Sequence, residues 1–230
     1  VTAAGKAILV TGCDSTIGGA LARQLDEQGF TVFAGFQNVA GNSGRRRAEG
    51  SLFRQTARPP AGRFLRDSDP GGIALRRRTS ARWRSRLRAV VHAQSWVALG
   101  EIEWIPPQVI RKATEINFVG PTRVTQIMLP LVRRARGRIV VLTSGLCRIA
   151  SPVRGIHCGL LAALEAQAEC LRKELRSRGV DIVVVAPGEF TAGSSWLSDE
   201  TIVEQAKEMW RQLCQEQRTE YGGRLLREGH

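Results

Sequence analysis

The stretch KAILVTGCDSTIGGALARQLDEQGFTVFAGF, residues 6–36, decides the fold. KAILVTG is a nearly continuous apolar run that ends in a turn, the pattern of a strand buried on both faces of a sheet. A glycine-containing loop follows, and then Ile17, Leu21 and Leu25 recur at helical spacing until Gly29 stops the helix. TVFAGF, residues 31–36, reads as a second strand. Strand, glycine-bearing turn, helix and strand within about 30 residues make the βαβ unit of a dinucleotide-binding sheet.

The same alternation resumes further along the chain. RAVVHA (88–93) is a short strand, and after Pro106 and Pro107 the segment QVIRKATEINFVGPTRVTQIMLPLVRRARG (108–137) predicts a long amphipathic helix. Pro121 is placed to kink that helix and Gly137 to stop it. RIVVLTS (138–144) is another buried strand. IHCGLLAALEAQAECLRKELRSRG (156–179) is a helix with Leu161, Leu164, Ala168, Leu171 and Leu175 on one stripe. VDIVVVAPG (180–188) is a further strand, and SDETIVEQAKEMWRQLCQEQ (198–217) predicts a surface helix capped by Ser198 or Asp199. Strands alternating with helices call for an α/β domain built on a parallel, doubly wound sheet.

A chain of 230 residues is long enough for one such domain and short for two. Its net charge of +13 would point to nucleic acid if it were spread over the surface. It is concentrated instead: residues 45–88 hold 14 arginines against three acids, while the rest carries 20 basic and 18 acidic residues. Residues 38–88 sustain no period of 2 or 3.6 and read as disordered or poorly packed, although their length suits a helix, a strand and a helix. A solvated basic insertion competes here with a stretch from a shifted reading frame or a misjoined exon. The abrupt return of regular signals at RAVV favours the latter. No run reaches the roughly 18 apolar residues that span a bilayer, so no transmembrane segment is expected. The first residues read as a strand and not as a leader, a removed one being left open. Cys13, Cys147, Cys158, Cys170 and Cys214 show no CxxC and no metal spacing with histidine. They predict mostly buried thiols in a reducing compartment, and no metal site.

Three stretches carry a family resemblance: TGCDSTIGGALARQLDEQGF (11–30), EINFVGPTRVTQIMLPLVRRARGRIVVLTS (115–144) and VVVAPGEFTAGS (183–194). In this order they are similar to the short-chain dehydrogenase/reductase family, in the branch of the 3-hydroxybutyrate, retinol and steroid dehydrogenases. The likeness covers residues 6–37 and 88–222 and skips the basic segment. It implies a Rossmann-type doubly wound parallel sheet in a single domain over residues 1–230. The irregular Arg-rich segment 38–88 then stands in place of the third-strand region, and 189–230 is a truncated substrate-loop region, since members of this branch usually continue beyond the point reached by His230. The resemblance also implies a nicotinamide cofactor, NAD or NADP, and hydride transfer between an alcohol and a ketone.

Residue by residue the resemblance is uneven. The family's phosphate loop, TGxxxGxG, falls on Thr11, Gly12, Cys13, Asp14, Ser15, Thr16, Ile17 and Gly18. Gly12 and Gly18 match, while Thr16 occupies the place of the middle glycine, where a Cβ should weaken cofactor binding without necessarily abolishing it. Phe36, Gln37 and Asn38 offer no acid to the ribose, which leaves NAD against NADP open. HAQS (92–95) stands where the family has NNAG and does not match it, so His92 reads as a strand-end residue.

Asn117 falls on the catalytic asparagine, Ser144 on the substrate-steadying serine, and Pro187 and Gly188 on the cofactor-side turn. The family's acid/base tyrosine belongs 13 residues after the serine and its lysine four residues later. Here those positions are His157 and Leu161, on one helix face. Histidine can move protons. Leucine can neither bond a ribose hydroxyl nor supply a charge.

The catalytic candidates are thus Ser144, His157 and Asn117, and the cofactor candidates Thr11, Gly12, Asp14, Ser15, Ile17, Gly18, Pro187 and Gly188. The expected activity is that of a weakened oxidoreductase. A catalytically inactive relative serving as a binding or interaction protein is the alternative. A Ser144–His157 nucleophilic pair would lack an orienting acid, and Tyr221, the only tyrosine, has no neighbouring lysine. Trp196, Leu197 and Trp210 offer either an apolar lid or core. Expected partners are an alcohol or ketone substrate and further copies of the chain, as a dimer or tetramer through helices 108–136 and 156–178. Nucleic acid is not expected. The setting expected is intracellular, cytoplasmic or mitochondrial, with membrane association left open.

Overall fold

Strand β1 (Ala7–Thr11) has parallel partners on both edges, β2 (Thr31–Ala34) and β3 (Leu87–His92). β4 (Arg138–Leu142) and β5 (Asp181–Val185) extend the sheet in the order β2-β1-β3-β4-β5, all pairs parallel. The computed structural model describes Ala3 and residues 5–36, 87–188 and 199–221. Expectations for the basic segment up to residue 86, and for Trp196 and Leu197, lie outside the described residues.

Parallel strands need crossovers, and helices supply them. α1 (Thr16–Glu27) joins β1 to β2. α2 (Pro107–Thr114), a π turn (Glu115–Val119) and α3 (Gly120–Arg134) lead from β3 to β4. α4 (Gly155–Leu175) leads from β4 to β5, and α5 (Asp199–Gln212) and α6 (Gln215–Tyr221) follow.

Alternation along β1 assigns each side chain to a face. Ala7 and Leu9 join Leu87, Val90, Met128, Val132, Ile139, Leu164 and Ile182 on the side of α3 and α4. Ile8 and Val10 join Ala22, Val32, Ala89 and Val91 on the side of α1. Val10, Val32, Leu87, Val90 and Ile139 are fully buried, each worth roughly 1.5–3 kcal/mol of apolar burial. This is the α/β, Rossmann-type sheet that the alternating pattern predicted.

Three details differ from the sequence reading. β3 begins at Leu87, so the strand starts inside the segment read as irregular through residue 88; Leu87 is fully buried, and Arg88 donates to Ala135 O at 2.8 Å at the end of α3. The kink expected at Pro121 is instead a π turn just upstream. Proline has no N–H to return to Asn117, and the Gly120 N–H reaches back five residues to Glu115 O. The predicted helix 198–217 divides into α5 and α6 after Gln212. That break keeps Met209 and Leu213 in a buried cluster with Trp104 and Ile105, and brings the Tyr221 ring to 6.2 Å from that of Trp104.

All five cysteines are free, but only Cys13 is buried; Cys147 and Cys158 are half-buried, and Cys170 and Cys214 are exposed. The expectation of mostly buried thiols therefore fails, because Cys170 and Cys214 lie off the apolar faces of the helical region. Among the described residues no helix is long and apolar enough to cross a membrane, and no cluster of His, Cys, Asp and Glu could hold a metal ion.

Candidate active site

The sheet order reverses direction between β1 and β3, since β1 leads outward to β2 and β3 outward to β4. A crevice opens at the carboxyl ends of strands at such a point. The sequence candidates lie on segments leaving those strand ends or, for Asn117, on the helix packed beside them.

The loop after β1 is held by two glycines that nothing larger could replace. Gly12 has φ +72°, and a Cβ there would lie 2.4 Å from Gln94 N; a Cβ on Gly18 would lie 2.2 Å from Gly12 O. Ser15 caps α1, accepting the Gly18 N–H at 3.0 Å and donating to Gly12 O at 2.7 Å. Among the described residues the amides of Thr16 and Ile17 make no protein hydrogen bond. They are two donors at the positive end of a helix, which suits a phosphate group. Thr16 is exposed, and Asp14 and Ile17 are half-buried.

The segment after β3 completes this loop in a way the family pattern did not reveal. The Thr11 hydroxyl bonds the Gln94 side-chain oxygen and also reaches Val91 O at 3.3 Å. Gln94 is therefore the residue that sequence reasoning missed, because HAQS was judged only against NNAG. His92 faces inward, 2% exposed, with Nε2 sharing a hydrogen bond with Thr125 Oγ1 at 2.9 Å. Burial pushes its pKa down to about 4. It ties β3 to α3 as a neutral ring.

Asn117 sits in the π turn, 3% exposed, with both side-chain polar atoms bonded to Trp96. Oδ1 accepts the Trp96 N–H at 2.8 Å and Nδ2 donates to Trp96 O at 2.7 Å. It braces the loop after β3 rather than presenting its amide to a ligand.

Ser144 follows β4 and caps a short 3-10 turn (Gly145–Cys147), accepting the Leu146 N–H at 3.3 Å. The chain then reaches α4 through Val153, which has φ +64° and whose carbonyl accepts the Gly100 N–H at 2.8 Å. A β-branched residue in the left-handed region costs about 1–2 kcal/mol, so this entry to α4 is held under strain.

His157 lies in the first turn of α4, 6% exposed, and its Nδ1 is buried without a hydrogen-bond partner. Burial, with the Arg154 charge adding to it, pushes its pKa down to about 4. Near neutral pH it is an uncharged ring whose Nδ1 is buried and unpaired, as is Nδ1 of His92. Leu161, one turn on, is 5% exposed. Ser144 and His157 make no hydrogen bond to each other, which leaves the nucleophilic pair without support. Tyr221 donates to Glu103 Oε2 at 2.7 Å, and that acid and Glu101 raise its pKa, the opposite of what a neighbouring lysine would do. Pro187 is half-buried and Gly188 exposed, just beyond β5.

The donors at the start of α1 fit a dinucleotide's phosphates. Gly12, Gly18 and the amides of Thr16 and Ile17 suit the pyrophosphate, while Leu161, at the position where the resemblance implies a ribose-binding lysine, offers no donor.

Comparison with known proteins agrees with this geometry. A sequence profile described as short chain dehydrogenase matches residues 72–201. D-beta-hydroxybutyrate dehydrogenase, mitochondrial, of the rat (Rattus norvegicus) is 35% identical over 228 residues, covering 98% of this chain and 66% of the relative. Retinol dehydrogenase 5 of the mouse (Mus musculus) is 31% identical over 226 residues, covering 95% of this chain and 67% of the relative. The chain thus spans about two thirds of the length of the curated relatives it matches. A short-chain dehydrogenase structure from Streptomyces avermitilis superposes with TM-score 0.64 at 25% identity, over 80% of this chain and 66% of that one. These spans include part or all of the basic segment, so the likeness is wider than the two stretches that the motifs outlined.

Proposed function

The chain belongs to the short-chain dehydrogenase family, and from that membership we propose that it is an NAD(P)-dependent oxidoreductase with attenuated hydride transfer. Its substrate would be an alcohol or ketone of the hydroxy-acid, retinoid or steroid type, a range supported by the names of the rat and mouse relatives. The observation that carries the reading is His157: a buried imidazole with an unpaired Nδ1 stands at the acid/base position, one turn before an apolar Leu161.

Gly12, Gly18 and the amides of Thr16 and Ile17 would hold the pyrophosphate, with Thr16 weakening the grip. The bound cofactor supplies the hydride acceptor or donor. Ser144 would direct its hydroxyl hydrogen to the substrate oxygen while its own oxygen stays on Leu146 N–H. His157 Nδ1 would take the proton from an alcohol. With a pKa near 4 it is a weak base, about three units below neutral, which costs up to about 4 kcal/mol in driving force. Leu161 cannot offset that cost.

Titration with NADH and NADPH, followed by fluorescence, tests the reading. Saturable binding and slow turnover on an alcohol panel, reduced further in His157→Ala, are expected. No binding at millimolar cofactor would overturn it. A second reading, a catalytically inactive relative that binds partners, draws on the burial of Leu161, which serves packing alone. Binding without turnover on any substrate would favour it.

Self-association belongs to the same proposal, with residues 108–136, spanning α2 and α3, and 156–178, mostly α4, as the contact. The outer face of α4 is small and exposed at Gly159, Ala163 and Ala166, and sedimentation that shows only monomer would remove this part. The rat relative is named as mitochondrial, which supports an intracellular setting.

A further inference from the structure

We infer that Glu165 is a positioning residue, the latch that fixes the turn behind Ser144 against the helix that carries His157. The inference rests on the proposed oxidoreductase reading for its catalytic meaning, but its geometry stands apart from it.

The turn Gly145–Cys147 hangs from Ser144 by two bonds: Ser144 Oγ accepts the Leu146 N–H at 3.3 Å, and Ser144 O accepts the Cys147 N–H at 3.1 Å. Beyond the turn, Arg148 and Ile149 N–H groups return to Gly145 O at 3.0 and 3.2 Å. This unit has local bonds only, and a short 3-10 turn does not hold a fixed place by itself. Its anchor is the carboxylate of Glu165, two turns beyond His157 on α4. Cys147 Sγ donates to Glu165 Oε2, and the Arg148 guanidinium pairs with Glu165 Oε1.

The two halves of the latch differ in environment. The Arg148 side chain is 78% exposed, so its ion pair is screened and contributes little. The Glu165 side chain is only 17% exposed, which places the carboxylate inside the contact with the thiol. Partial burial and the Glu165 charge together raise the Cys147 pKa, and the Arg148 bond first, then the thiol, lowers that of Glu165. A protonated thiol donating to an ionised carboxylate is the arrangement these shifts favour. Ser144 itself leaves the end of β4, where the Thr143 N–H donates to Val185 O at 2.8 Å, so the one carboxylate ties the turn that follows Ser144 to the helix that carries His157.

Glu165→Ala and Glu165→Gln test this on the full chain. In the alanine variant, iodoacetamide should alkylate Cys147 about tenfold faster, because the thiol loses both cover and its raised pKa. Amide exchange at Leu146 to Ile149 should accelerate while exchange along α4 stays as it was. Glutamine keeps an oxygen acceptor for the thiol and should restore most of the protection. Unchanged alkylation and exchange in Glu165→Ala would overturn the latch, and so would acceleration spread evenly along α4. On any alcohol that the unsubstituted protein oxidises, Glu165→Ala should lower kcat about tenfold and leave the cofactor KM within about twofold. An equal loss in both, or none, would refute the positioning of Ser144. If the unsubstituted protein oxidises nothing, the proposed activity fails while alkylation and exchange still decide the latch.

Discussion

A lysine at position 161 would charge the site and bond a ribose hydroxyl; the leucine found there is 5% exposed and adds to the apolar stripe of α4. Its neighbour one turn back, His157, is buried as a neutral ring, and His92 is buried likewise against Thr125 of α3. Both pKa values fall from 6.5 to about 4 in the folded chain. Between those values the unfolded chain binds more protons than the folded one, so stability is full above pH 6.5 and declines as pH drops toward 4. Each ring accounts for about 3 kcal/mol over that window. Urea midpoints measured from pH 7 to pH 4 should fall, and fall less steeply in His92→Asn; a flat profile would refute the burial of both rings. At this scale the sequence exposed the Ser144-to-157 spacing, since spacing along a chain is directly readable. It hid the partner of Asn117 and the role of Gln94, because both depend on which loop comes beside which strand end.

The elements were legible where apolar runs are long and unambiguous. β1, β4 and β5 could be read as buried strands, and the stripe of α4 follows from residues three and four apart. The π turn was legible only as a proline in a helix. The missing N–H at Pro121 can be absorbed by a kink or by widening, and the packing of Ile116 and Asn117 against the loop after β3 selects widening. The break between α5 and α6 was invisible, for it is set by the Trp104 cluster, more than a hundred residues away. Met209 is 1% exposed at the centre of that cluster. Met209→Ala should cost about 2–4 kcal/mol, read as a lower urea midpoint with faster exchange in α5. A change under about 0.5 kcal/mol would mean that α5 is not docked there.

At the scale of the whole molecule, the sheet order places the Gly12–Gly18 loop, Gln94, Ser144 and the start of α4 along the same carboxyl edge. That edge is what a dinucleotide-dependent oxidoreductase requires. The central proposal is that the frame is retained while His157 and Leu161 weaken the acid/base chemistry. Its most direct test is turnover of the His157→Tyr/Leu161→Lys double variant against the unsubstituted chain, with cofactor binding followed in both. The account predicts a rise in turnover of about a hundredfold, within the range of acid/base catalysis. Unchanged turnover in a folded double variant that still binds cofactor would contradict it.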